Sequence, residues 1–234
     1  ASWRPHIAGA LIPSATSVAV VGVGNVAIDV TRVLAKTVVE LDETDMPQHV
    51  LDTLGASTIT DIHLLGRRGP AQATFTTKEL RELGELLDAD VIVDPADLAF
   101  DAASDEVIRT DKAVARNVEV IKEWATRVPA GRSRRVHVHF LARPVELRGD
   151  DRVREVTVER TALDGSGGVT GTGEFTTISA DLVVRSVGYR GTGLGDVPFD
   201  ARRGVIPNSD GRVERDGMPV AGEYVAGWIK RGPT

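Results

Sequence analysis

Cysteine is absent from all 234 residues. That absence excludes a disulfide scaffold, a zinc-thiolate site and a redox-active dithiol, so a disulfide-reductase reading fails. Long apolar runs are missing too. The stretch Ile7 to Ile12 is too short for a secretory signal or a membrane span, and it lacks the flanks of either. Nor is there a basic excess: 28 basic against 34 acidic residues give a formal charge of −6, which argues against a nucleic-acid partner. No internal repeat or low-complexity tract interrupts the chain. What remains is a soluble domain suited to a reducing, cytoplasmic setting. At 41% apolar residues, a chain of this length can withdraw roughly 70% of its unfolded surface from water, enough for a sizeable core.

Residues 17 to 32 carry the first positive signal. The apolar run Val18-Ala19-Val20-Val21 reads as a buried parallel strand and leads into Gly22-Val23-Gly24-Asn25-Val26-Ala27. Gly22 permits a tight turn, Gly24 lets backbone approach a diphosphate, and Ala27 keeps the following helix close to the strand. Val26, Val30, Val33 and Leu34 then recur at helical spacing. The helix N-terminus would face the anion, where its unpaired N–H groups and dipole favour negative charge.

Which pyridine dinucleotide would bind depends on the end of the second strand. An acid there accepts from a 2′-hydroxyl, whereas arginine accommodates a 2′-phosphate. Asp42, Glu43 and Asp45 fall about 20 residues past the glycines, as an NAD-type acid should. No strand precedes them, however; Leu34 to Leu54 carries helical spacing broken by Pro47, so the acids read as a solvated insertion. The strand follows at Thr58 to Leu65, and Gly66-Arg67-Arg68-Gly69 comes directly after it. A guanidinium fork binds phosphate oxygens in pairs and stacks on adenine. The chain is therefore expected to take NADP(H), with solvated loop arginines as the competing reading.

Downstream, Thr76 to Leu87 predicts a helix with Thr76 or Thr77 as its cap, and Glu79 in the first turn is either a dipole-pairing carboxylate or a nucleotide contact. Asp90 to Asp94 predicts a strand. Asp111 to Arg127 predicts an amphipathic helix with Trp124 in the core. Arg135 to Leu141 alternates as a strand that places His137 and His139 on one face. Without a third ligand at useful spacing, they read as partly exposed histidines rather than metal ligands. Arg152 to Leu163 and Glu174 to Ser179, separated by turn-rich Asp164 to Gly173, predict an antiparallel hairpin layer. Ala180 to Tyr189 predicts a further apolar strand whose Ser186-Val187-Gly188-Tyr189 end returns toward the nucleotide, and Arg190 to Gly222 reads as turns with short strands. The fold class expected is α/β, a Rossmann-like parallel sheet flanked by helices with an additional antiparallel β-layer.

Three blocks together resemble the adrenodoxin reductase type of ferredoxin–NADP reductase: Gly24 to Asp29, Gly66 to Ala73 with Phe75 to Glu82, and Gly227-Trp228-Ile229-Lys230-Arg231-Gly232-Pro233-Thr234. The resemblance covers nearly the whole chain. It implies that Val23, Gly24, Asn25 and Val26 touch NADP, that Arg67 and Arg68 clamp the 2′-phosphate, that Glu79 lies near the nucleotide, and that Trp228 stands beside FAD. It implies no catalytic side chain and no metal. Thr31, where relatives commonly carry alanine, is a small departure.

In that family an NADP domain is inserted into a discontinuous FAD domain, and no second glycine-rich strand-turn-helix is present in these residues. The organisation expected is a linker over 1–16, an NADP-binding domain over 17–223 and a return segment over 224–234, with FAD held mainly elsewhere. Trp3-Arg4-Pro5-His6-Ile7 resembles the family's crossing only loosely. The implied activity is that of a flavoprotein oxidoreductase passing electrons from NADPH through FAD to a ferredoxin-like iron–sulfur protein, the segment alone binding nucleotide without turnover. Arg127 to Arg135, with Arg132, Arg134 and Arg135, is read as a solvated loop rather than a docking surface for that acidic carrier. The alternatives are the nucleotide domain of a glutamate synthase small subunit and a non-catalytic NADP-binding module.

Overall fold

The first apolar run does form a strand, β1 (Ser17–Val21), in a computed structural model that describes residues 12–188 and 190–232. It is followed by α1 (Asn25–Ala35), α2 (Val38–Asp42), α3 (Gln48–Gly55), β2 (Asp61–Leu65), α4 (Thr77–Gly84) and β3 (Ala89–Val93). Then come α5 (Ala102–Thr110), α6 (Lys112–Thr126), β4 (Arg134–His139), β5 (Ala142–Arg148), β6 (Glu155–Leu163), β7 (Val169–Ser179) and β8 (Leu182–Arg185). The chain divides into two units, Ala1–Ser186 and Val187–Thr234. The expected crossing segment around Trp3 to Ile7, most of the expected linker 1–16, Tyr189, Pro233 and Thr234 lie outside the described residues.

In the first unit the parallel sheet has the order β3-β4-β2-β1-β8. One face carries Val18, Val20, Ile62, Leu64, Val136 and Val138, buried against Ile28 of α1, Leu80 and Leu83 of α4, and Ile121 and Trp124 of α6. Each fully buried aliphatic side chain of this kind contributes about 1.5–3 kcal/mol. On the other face Ala19 and Leu65 meet Ala142, Val156, Val158 and Ala180. That contact seats the antiparallel sheet β5-β6-β7 on the parallel one.

Local sequence explains most boundaries. The buried stripe of α1 runs through Ala27, Ile28, Thr31, Leu34 and Ala35, with Val30 and Val33 at its margin and Val26 largely exposed. Thr31, though polar, fits this buried position because its hydroxyl donates to the Ala27 carbonyl at 2.8 Å. Asp42, Glu43 and Asp45 are exposed at the end of α2 and in the turn after it, upstream of β2.

Four expectations need correction. A helix, α5, occupies 102–110, where none was expected. The Asp101 side chain accepts from Ser104 N at 2.8 Å to start it. Strand β5 was likewise not expected. β7 begins at Val169 rather than near Glu174, because Thr161, Ala162 and Leu163 of β6 pair with Gly171, Thr170 and Val169. Finally, the arginines just before β4 and at its start are fastened rather than freely solvated. Arg132 donates to the Leu86 and Ala89 carbonyls, Arg134 to those of Leu34 and Lys36 at the end of α1, and Arg135 pairs with Asp61.

The second unit contains β9 (Asn208–Ser209), β10 (Arg212–Arg215), β11 (Met218–Tyr224) and α7 (Trp228–Arg231). Its three strands form an antiparallel sheet with Ile206, Val213 and Val225 buried and Phe199 and Ile229 packed on them.

Candidate nucleotide-binding site

Parallel pairing of Val21 with Leu65 brings the ends of β1 and β2 level, so the glycine turn and the arginine loop emerge side by side. They touch. A Cβ on Gly66 would lie 2.7 Å from Val23 Cγ1, so any larger residue there would force the Val23 side chain or the loop to move. Gly22 has φ +128°, and a Cβ there would meet the Ser186 carbonyl oxygen at 2.1 Å. Glycine at this turn therefore satisfies a backbone geometry and a close approach at once.

Gly24 caps α1 in an extended conformation with no side chain bonded to the helix N-terminus. The Asn25 amide oxygen instead accepts from Thr76 N at 2.7 Å, and Thr74 N donates to the Val23 carbonyl at 3.0 Å. These bonds brace the turn against the start of α4. They leave the first N–H groups of an eleven-residue helix without a side-chain cap.

Arg67 and Arg68 stand on a loop whose backbone is held from two strands. The Arg67 carbonyl accepts from Thr161 Oγ1 at 2.7 Å, the Arg68 carbonyl from Leu141 N at 3.1 Å, and Gly66 N donates to the His139 carbonyl at 2.9 Å. Neither guanidinium is hydrogen-bonded or ion-paired to another described residue. The backbone of the loop is thus fixed while both guanidiniums keep their donors for other partners.

Glu79 is placed differently from the other nucleotide candidates. Its N–H donates to Thr76 Oγ1 at 3.3 Å, and its carboxylate pairs with Arg32 of α1 at 2.9 Å. Arg32 also reaches Glu82 at 2.5 Å and Asp29 at 3.3 Å. The arrangement makes Arg32, unremarked in the sequence, the clasp between α1 and α4. Trp228 is the first residue of α7 in the second unit and is 57% exposed.

A second constellation was missed in the sequence. His63 pairs in register with His137, and Asp61 with Arg135, so both residues of β2 lie beside the histidines of β4. His137 Nε2 lies 2.9 Å from Asp61 Oδ1, and His63 Nδ1 lies 3.0 Å from His139 Nε2. The rings of His63 and His137 stack at 4.6 Å with 12° between planes. The third and fourth polar groups thus come from the neighbouring strand, not from spacing along β4.

Burial, with repulsion from the neighbouring imidazoles, pushes His63 down to about 4, and burial with His137 does the same to His139. Burial would raise Asp61, but hydrogen bonds from Arg135, His137 and Thr60 prevail and hold it well below the usual carboxylate range. Unfolding restores the two imidazoles toward 6.5, so the unfolded chain binds more protons between about 4 and 6.5. Stability is expected to be full above pH 6.5 and to decline as pH falls toward 4. At about 1.4 kcal/mol per unit of depression the loss is a few kcal/mol. Thermal melts at pH 7 and pH 5 check this, and equal midpoints would contradict it.

No family model matches the chain. It is 45% identical over 220 residues to NADPH-ferredoxin reductase FprA of Mycobacterium tuberculosis, a match covering 92% of this chain and 47% of the relative. It is 34% identical over 240 residues to the mitochondrial NADPH:adrenodoxin oxidoreductase of Arabidopsis thaliana, over 95% of this chain and 50% of that protein. A solved structure of Mycobacterium tuberculosis FprA in complex with NADPH matches with a TM-score of 0.84 and 43% identity, over 95% of this chain and 49% of that one. The chain spans about half the length of the curated relatives it matches. Among the described residues no helix is long and apolar enough to cross a membrane. The parallel five-stranded sheet with its antiparallel layers matches the FprA structure, and the chain is homologous to FprA and to adrenodoxin reductase over about half of those proteins.

Proposed function

We propose that this chain binds NADP(H) as the nucleotide-binding part of a ferredoxin–NADP reductase that carries FAD. The observation that supports this most is the meeting of an uncapped helix N-terminus at Gly24 with two uncommitted guanidiniums at Arg67 and Arg68, on adjacent strand ends. In this reading the N–H groups of Asn25 and Val26 receive the pyrophosphate, while Val23 and Gly24 supply the backbone contour it follows. Arg67 and Arg68 take the 2′-phosphate. Glu79 acts from the neighbouring helix, by holding Arg32 and thereby the spacing of α1 and α4.

Residues 17–223 would form the nucleotide domain, with 1–16 and 224–234 as crossings to a flavin domain, and Trp228 would lie against FAD. Nicotinamide and flavin supply the hydride and electron chemistry when bound; these side chains bind, orient and exclude water. A ferredoxin-like iron–sulfur protein is the partner such an enzyme would serve.

The direct test is a titration of the chain with NADPH and with NADH. NADPH should bind at least about ten-fold more tightly, as expected for one added charge-assisted contact. Equal affinities would overturn the reading.

A further inference from the structure

We propose a second site on this chain: a binding site for one divalent cation of the zinc class, formed by Asp61 and His63 of β2 and His137 of β4. The inference is independent of the nucleotide reading. Three of the five histidines of the chain converge on one patch of sheet, because β2 and β4 are parallel neighbours in a register that sets His63 beside His137. One ligand atom from each of Asp61, His63 and His137 lies within 4.8 Å of the others. All three residues are only partly buried, so the site is open to ions from solvent.

The donor set is two imidazoles and one carboxylate. It suits a borderline cation such as Zn2+ or Co2+, whereas Mg2+ and Ca2+ prefer oxygen donors throughout. Three protein ligands leave a coordination position for water. His139 completes the arrangement from outside the ligand set: its Nε2 lies 3.0 Å from His63 Nδ1 and fixes the orientation of that ring. The 2.9 Å contact between His137 Nε2 and Asp61 Oδ1 is already a bridge across the position a cation would take. On binding, the cation takes the place of the hydrogen in that bridge, and the His137 imidazole carries its N–H on Nδ1 instead.

Arg135 opposes the site. Its guanidinium is bonded to Asp61 through Nε at 2.8 Å and through a second nitrogen at 2.5 Å, which places a fixed positive charge beside the carboxylate ligand. Removing that charge should therefore strengthen cation binding, an effect that no purely structural role for the histidines would produce.

The experiment is a titration of the chelator-treated 234-residue chain with Co2+, read by ligand-field absorption, and with Zn2+, read by calorimetry. The expected result is about one equivalent bound. His63→Gln and His137→Gln should each weaken binding at least about ten-fold, Arg135→Gln should tighten it, and His49→Gln, on exposed α3, should leave it unchanged. Circular dichroism in chelator establishes that each variant is folded; should a histidine variant not fold, the wild-type spectrum and Arg135→Gln decide alone. Absence of ligand-field absorption in the wild type, weaker binding by Arg135→Gln, or equal losses in His49→Gln and His63→Gln would overturn the proposal.

Discussion

Replacing Arg67 and Arg68 together with alanine is expected to weaken NADPH binding by about a hundred-fold or more and to leave NADH binding within about two-fold of the wild type. A charge-assisted hydrogen bond contributes about 1.5–3 kcal/mol, so two cations on one phosphate account for a loss of that size. The guanidiniums make no hydrogen bond or ion pair with another described residue, while their backbone is tied to Leu141 and Thr161. Truncation should therefore alter the anion site without loosening the loop. Each single variant should lose about ten-fold or more. Isothermal titration with both nucleotides measures the split, and a double variant that kept its preference for NADPH would place the phosphate elsewhere.

Gly22→Ala should be the most damaging single substitution around the turn, costing about 2–4 kcal/mol of stability. Two causes add. Alanine is strained at φ +128°, and its Cβ would stand 2.1 Å from the Ser186 carbonyl oxygen, a backbone atom that cannot swing aside. Relief requires separating the turn from the end of β8, where Ser186 N donates to the Val21 carbonyl at 2.8 Å. The same movement displaces the start of α1, so nucleotide affinity should fall along with the denaturation midpoint. Gly24→Ala is the informative contrast, because its added Cβ would meet only Thr74 Oγ1, at 3.2 Å, with φ in the ordinary range. Chemical denaturation of the two variants side by side checks the argument. A Gly22→Ala chain as stable as the wild type would contradict it.

What the sequence made legible was local. The strand, glycine turn and helix at 17–35 are consecutive, and each part announces itself through residues a few positions apart. The arginines of the loop after β2 were likewise readable from the strand immediately before them. Signals divided between distant segments were not. β4 inserts between β2 and β3, an adjacency that no spacing along the chain encodes, and it alone brings His63 to His137.

Glycines misled where they serve contact rather than turning. Gly171 lies inside β7, paired with Thr161, and a Cβ there would meet the ends of Glu159 and Arg143, an ion pair between β6 and β5. The residue reads as a turn former but functions as a clearance. α5 was hidden for another reason: Asp111 closes it and also caps α6, accepting from Ala113 N at 2.7 Å, so one acid marks two helix ends with no loop between them. Glu79 stood between a cap and a contact in the sequence, and Arg32, one helix away, was the missing partner.

The most direct measurement of the central claim is a crystal structure of this chain with NADP+. The account predicts the pyrophosphate at the N-terminus of α1, over Gly24 and Asn25, and the 2′-phosphate within hydrogen-bonding distance of the guanidiniums of Arg67 and Arg68. A nucleotide bound with its 2′-phosphate in solvent, or away from the paired ends of β1 and β2, would contradict it.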